Sequence, residues 1–134
     1  KTAVEHGWWD GEEHNDAEEG MGGVKEGFAQ SWDRIQRDVH KTAVEHGWWD
    51  GEEHNDAEKV ALIHSELSEA LEGFRKPGPS DKIAPFSQVE EEYADVVIRI
   101  MDHAAHLGID VAGAIIAKMA YNQTRPYRHG GKRY

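Results

Sequence analysis

The sequence has 134 residues, 38% hydrophobic and 31% charged, which suits one globular domain or one subunit of an assembly and is too apolar for a wholly disordered chain. A net charge of −11 argues against a surface that follows a DNA or RNA backbone, although divalent cations can reverse the local field for a small phosphorylated ligand. With no cysteine, disulfides, thiolate catalysis and cysteine-based zinc sites are excluded, and no apolar run approaches the roughly 18 residues of a membrane span. The expected compartment is the cytoplasm.

The chain opens on KTAVEHGWWDGEEHNDAE, which recurs unchanged at 41–58. Repeats that build a fold diverge and tile the chain. This pair does neither, and the first copy runs into a Gly-rich stretch around Met21, which reads as an original start. Residues 1–20 are therefore expected to be an appended duplicate without a function of its own, and 21–134 the domain. With seven acids and one lysine, residues 1–20 carry −6 of the −11.

From Val24 to about Gly47, Phe28, Trp32, Ile35 and Val39 recur at helical spacing and predict a first helix. Trp48-Trp49-Asp50-Gly51 reads as a turn with two exposed aromatics. Asn55 with Glu58 three residues on predicts an N-cap and a second helix, its buried face Val60, Ile63, Leu67, Ala70, Leu71 and Phe74. A Pro- and Gly-containing loop from Arg75 to Phe86 follows. Ser87 and Glu90 form a capping box for a third helix to about Leu107, with Val89, Tyr93, Val96, Val97 and Ile100 as its face. Gly108 stops it, and Asp110 caps a fourth helix through Met119 and Tyr121 that Pro126 ends. No alternating strand pattern occurs. The expectation is an all-α antiparallel bundle of about four helices. Its core is small for the length and is expected to be completed by oligomerisation.

Two acidic pairs stand out. Glu66 and Glu69 on the second helix, and Glu92 and Asp95 on the third, are each three residues apart and project from one side. Both pairs lie on the same flank of their apolar stripes, so antiparallel packing would crowd four carboxylates along one groove. Such a cluster repels itself unless cations neutralise it, and hard oxygen donors suit Mg²⁺, Mn²⁺ or Ca²⁺. The bland alternative is a pair of solvated acidic faces. A di-iron bundle is disfavoured because it normally uses Glu-x-x-His, which this chain lacks.

Glu66-x-x-Glu69, 22 residues, then Glu92-x-x-Asp95 resembles the MazG family of all-α nucleoside triphosphate pyrophosphohydrolases, which is related to dimeric dUTPases. The strings Ile63-His64-Ser65-Glu66-Leu67-Ser68-Glu69-Ala70 and Glu91-Glu92-Tyr93-Ala94-Asp95-Val96 strengthen the likeness. So does the tail from Lys118 through Asn122-Gln123-Thr124-Arg125-Pro126 to Lys132. The chain is particularly similar to compact single-module members, which assemble as dimers or tetramers. The resemblance implies Mg²⁺-dependent (Mn²⁺ being the other candidate) hydrolysis of (deoxy)nucleoside triphosphates to monophosphate and pyrophosphate, as house-cleaning of the nucleotide pool. It makes Glu66, Glu69, Glu92 and Asp95 metal ligands, with Glu66 or Glu69 as the base for the attacking water. Lys118, Asn122 and Arg125, spaced by four and three, and Arg128 and Lys132 beyond them are candidate phosphate donors. Trp48 and Trp49 are candidates to stack on the base, or else an oligomer contact. Trp32 reads as core, His64 as structural, His103 and His106 as surface or interface, and Glu72 as a solvated face. The implied partners are a (d)NTP and further copies of the chain, with no nucleic-acid polymer and no membrane. The alternative of another class is a non-catalytic, metal-stabilised helical interaction module.

Overall fold

In a computed structural model the described residues are 14–51 and 53–127. They form helices α1 (His14–Glu45), α2 (Asp56–Arg75), α3 (Gln88–Leu107) and α4 (Val111–Gln123), with no strand among the described residues. The all-α expectation is met. No single described helix is long and apolar enough to cross a membrane. The described residues divide into two compact units, 35–109 and 14–34 with 110–127.

Unit 35–109 contains the end of α1, then α2 and α3. After Glu45, Gly47 (φ 82°) and Gly51 (φ 100°) adopt the left-handed conformation that a Cβ disfavours, which turns the chain through Trp48 and Trp49. Asn55 then caps α2, its side-chain oxygen accepting from the backbone N–H groups of Ala57 (2.9 Å) and Glu58 (3.3 Å). The predicted box at α3 forms in both directions: Ser87 Oγ accepts from Glu90 N at 3.1 Å, and Glu90 accepts from Ser87 N at 2.9 Å. At its other end Gly108 takes φ 68°, and its N–H reaches back to the last carbonyls of α3.

Helices α2 and α3 run antiparallel. The end of α2 meets the start of α3 where Gly73 faces Val89, their middles meet where Arg99 bonds Glu66, and Asp56 at the start of α2 bonds His103 near the end of α3. The approach at Gly73 is close: a Cβ there would stand 2.8 Å from Val89 Cγ2 and 3.3 Å from Val89 N. Ala70, one turn earlier, is buried. The loop between the helices is tied down by Ser80, which is itself buried. Its N–H donates to Phe86 O at 2.8 Å, its Oγ accepts from the N–H groups of Lys82 and Ile83, and its hydroxyl donates to Glu91 on α3.

The expected apolar faces are only partly buried. Val60, Leu67, Leu71 and Phe74 on α2, and Tyr93 and Val97 on α3, remain exposed, Phe74 by 60%. Two helices contact each other along narrow strips, and where α2 meets Val89 the strip is made by Gly73 rather than by a large side chain. The rest of the stripe is left as an apolar surface.

In the second unit, α1 begins at His14, ten residues before the expected Val24, and runs through the glycines at 20, 22, 23 and 27. Phe28 and Trp32 pack with ring centroids 5.8 Å apart. Asp110 caps α4 by accepting from Gly113 N at 2.8 Å, as its sequence suggests, and Ala112 is fully buried.

Gly73→Ala should lower stability by about 1 kcal/mol, since overpacking costs about 1–3 kcal/mol and better helix propensity returns about 1. Urea unfolding checks this; a variant as stable as the parent would contradict so close a contact.

Candidate metal centre

The helix spacing that suggested a carboxylate groove does bring acids together. Ligand oxygens of Glu66 on α2 and of Glu92 and Asp95 on α3 lie within 4.8 Å of one another. Glu92 is buried, the other two half-buried. Glu69, the fourth expected ligand, is outside this group; it is exposed and lines the same cavity. That cavity has a volume of about 460 Å³, and Lys82, Trp48, Ile98 and Arg99 complete its wall.

The electrostatics follow from the crowding. Burial pushes the Glu92 carboxyl up to about 7, helped by a hydrogen bond to Glu66 and by the charges of Glu66, Asp95 and Glu91. Burial also raises Asp95, with Glu66 and Glu91 adding repulsion and Lys82 opposing it. Two cations approach the group. Arg99 Nε donates to Glu66 Oε1 at 3.3 Å, and Lys82 Nζ stands 3.8 Å from Glu91 Oε2. An all-oxygen set drawn from two helices, its repulsion relieved by positive charge, fits a hard divalent cation.

A second cavity, also about 460 Å³, opens beside the first and shares Trp48, Ile98 and Arg99 with it. Ile35, Val39 and Ala43 from α1 make it largely apolar, and Asp38, Thr42, His46 and Asp102 give it polar points. Its size and lining suit a small, flat ligand group.

The two tryptophans have different surroundings. Trp48 is 58% exposed and belongs to both cavities. Trp49, expected to be exposed, is instead half-buried. Its indole N–H donates to Asp102 (2.9 and 3.1 Å to the two oxygens), its ring stacks on His106 at 4.1 Å, and the Lys59 ammonium lies 4.0 Å from its centroid. These contacts engage the ring that was read as free to stack on a base. His40 Nδ1 lies 2.7 Å from the same Asp102. His103, read as surface or interface, is half-buried and lies 2.8 Å from Asp56, whereas His106 is exposed in keeping with that reading, its ring stacked on Trp49. Glu72 pairs with Arg75 on an exposed face, and His64 is exposed.

Lys118, Asn122 and Arg125 belong to the other unit, on α4 and just beyond it, and all are exposed; Lys118 Nζ stands 4.6 Å from the Tyr121 centroid. Arg128 and Lys132 lie outside the described residues. Sequence reasoning passed over Arg99 and Asp102. A signal existed: Glu92, Asp95, Arg99 and Asp102 follow one another at spacings of three, four and three, one continuous polar stripe on α3.

No protein-family model matches the chain, and comparison with curated proteins and with solved structures likewise gives no match.

The folded chain keeps the Glu92 proton that the unfolded chain loses above the ordinary value of 4.5, so this contribution to stability is complete below that pH and is lost as pH rises through about 7. Thermal melts from pH 4 to 9 should show the decline in the parent and a smaller one in Glu92→Gln, where Asp95 remains raised. At pH 8, Mg²⁺ or Mn²⁺ should raise the parent's Tm and leave the variant's nearly unchanged. Melting insensitive to both ions would argue that the acids are only a solvated cluster.

Proposed function

We propose that the chain hydrolyses (deoxy)nucleoside triphosphates to nucleoside monophosphate and pyrophosphate with a divalent cation, Mg²⁺ or Mn²⁺, and so clears unwanted nucleotides from the pool. The observation that carries this reading is the pair of adjoining cavities: one acidic and suited to a cation, the other apolar and sized for a base, joined along Trp48, Ile98 and Arg99. A nucleotide has the same two-part chemistry, an anionic end that needs cations and a flat, weakly polar end that prefers an apolar wall. The sequence motif of two acidic pairs points to the same activity through its resemblance to the MazG family.

In this reading Glu66, Glu92 and Asp95 hold the cation. Bound there, it would neutralise the triphosphate and acidify an attacking water. Glu69 lines the same cavity outside the tight trio, so it is the one of the two expected bases left uncommitted to the cation and able to accept the proton of that water. Trp48 offers its exposed face to the base, while Trp49 holds the turn on which Trp48 stands by bonding Asp102.

The exposed apolar stripe of Val60, Leu67, Leu71 and Phe74 supports assembly into a homodimer or homotetramer. Sedimentation of the parent should give a dimer or tetramer, and Leu71→Asp should shift it toward monomer. A monomeric parent at micromolar concentration would remove this part of the reading.

Pyrophosphate release from a panel of NTPs and dNTPs tests the activity. The parent should turn over at least one nucleotide with Mg²⁺, chelator should abolish release, and Glu69→Gln or Glu92→Gln should lower kcat by about 10²-fold or more. No release from a folded chain whose Tm still responds to metal would favour the metal-stabilised interaction module instead.

A further inference from the structure

Arg99 occupies a place that the proposed chemistry leaves unexplained. It is the only cation hydrogen-bonded to the acidic trio among the described residues, and it lines the acidic and the apolar cavity alike. Its side chain is 29% exposed, so solvent reaches it, while the Glu66 side chain that it meets is 15% exposed. Contact is made through Nε alone, at 3.3 Å. That is long for a charge-assisted bond and is not the two-point fork that a strong Arg–carboxylate pair makes. The paired Nη groups of the guanidinium are thus left for another planar or tetrahedral oxyanion. Its carbon centre lies 5.9 Å from the centroid of Trp48, at the seam between the cavities.

Glu66 cannot fully serve two cations. A dication drawn into the trio by Glu66, Glu92 and Asp95 repels the guanidinium beside it and withdraws electron density from the oxygen that Arg99 uses. We propose that Arg99 is an exchange residue: it competes with the divalent cation for Glu66 and, once displaced, binds a phosphate of the incoming nucleotide. This rests on the reading of the site as a metal-dependent triphosphate hydrolase and adds the residue that couples metal entry to substrate capture. Arginine suits the role because its charge persists at every relevant pH and its fork matches a phosphate as well as a carboxylate.

Two bindings of opposite sign test it. Mn²⁺ alone is titrated into the full chain by calorimetry. A non-hydrolysable α,β-imido deoxynucleoside triphosphate is then titrated at saturating Mg²⁺. Arg99→Gln should bind Mn²⁺ about fivefold more tightly than the parent, because a competing surface-pair cation has gone. The same variant should bind the analogue about 10-fold to 100-fold more weakly, because a charged donor to phosphate has gone. Arg99→Lys keeps the charge without the fork, so its Mn²⁺ affinity should stay near the parent's while the analogue still binds more weakly. Circular dichroism melts confirm that the variants are folded, and Arg99→Lys serves if Arg99→Gln is not. Weaker Mn²⁺ binding in Arg99→Gln would overturn the exchange and make Arg99 a support for Glu66. Tighter Mn²⁺ binding with an unchanged analogue affinity would overturn it in favour of a plain counter-ion. A parent that binds neither Mn²⁺ nor analogue would overturn the hydrolase reading and this inference together, whereas a parent that binds both while the variants behave as wild type would overturn this inference alone.

Discussion

The close approach of α2 to α3 is the constraint from which the rest of the site follows. Gly73 against Val89, with Ala70 buried a turn earlier, lets the two backbones come nearer than larger side chains would permit. Antiparallel helices at that distance place Glu66 opposite Glu92 and Asp95, and the partial burial of the contact denies these acids the full solvation that would let all of them ionise. Glu92 keeps its proton to about pH 7 for that reason. A cation is the other remedy for the same repulsion, and a rigid pair of helices can hold the oxygens for it without reorganising. The ties at each end of the pair, His103 to Asp56 and the Ser80 hydroxyl to Glu91, keep the register from which this geometry comes.

Along α3 one polar stripe does several jobs in order. Glu92 and Asp95 face Glu66, Arg99 reaches the same carboxylate from the seam between the cavities, and Asp102 receives Trp49 and His40. Asp102 thus fixes the turn after α1, and the turn fixes Trp48, which closes one wall of each cavity. Position is carried from the helix interior to the cavity mouth through a buried carboxylate with two donors, a stiffer arrangement than apolar contact alone because each donor is directional. A charged pocket and an apolar pocket share this wall within residues 35–109.

The same economy of contact leaves apolar surface over. Helices that touch through alanine and glycine bury little of their larger side chains, and Val60, Leu67, Leu71, Phe74 and Tyr93 stay exposed. The proposal that further copies of the chain cover this stripe connects assembly to the site itself: the contact that lets the carboxylates meet is the contact that leaves this apolar surface exposed.

The four helix positions, the Asn55, Ser87 and Asp110 caps and the glycine stop at Gly108 were legible in the sequence, because caps and helical periodicity are local and each is set by a few neighbouring residues. The convergence of Glu66 with Glu92 and Asp95 was legible for a related reason, since spacing on a helix fixes the face that a residue occupies. Three things depended on the tertiary structure. How far α1 extends toward the N-terminus is one, since the apolar periodicity starts only at Val24 while the helix starts at His14. The division of labour between Trp48 and Trp49 turned on Asp102, a residue 53 positions away from Trp49. The separation of Glu69 from the trio, and the place of Arg99 between acidic cavity and apolar cavity, depended on how closely and in what register two helices pack. Sequence by itself determined which residues share a face. Only the packed structure decided which faces meet, because that depends on the distance that Gly73 permits and on hydrogen bonds between residues far apart in the chain.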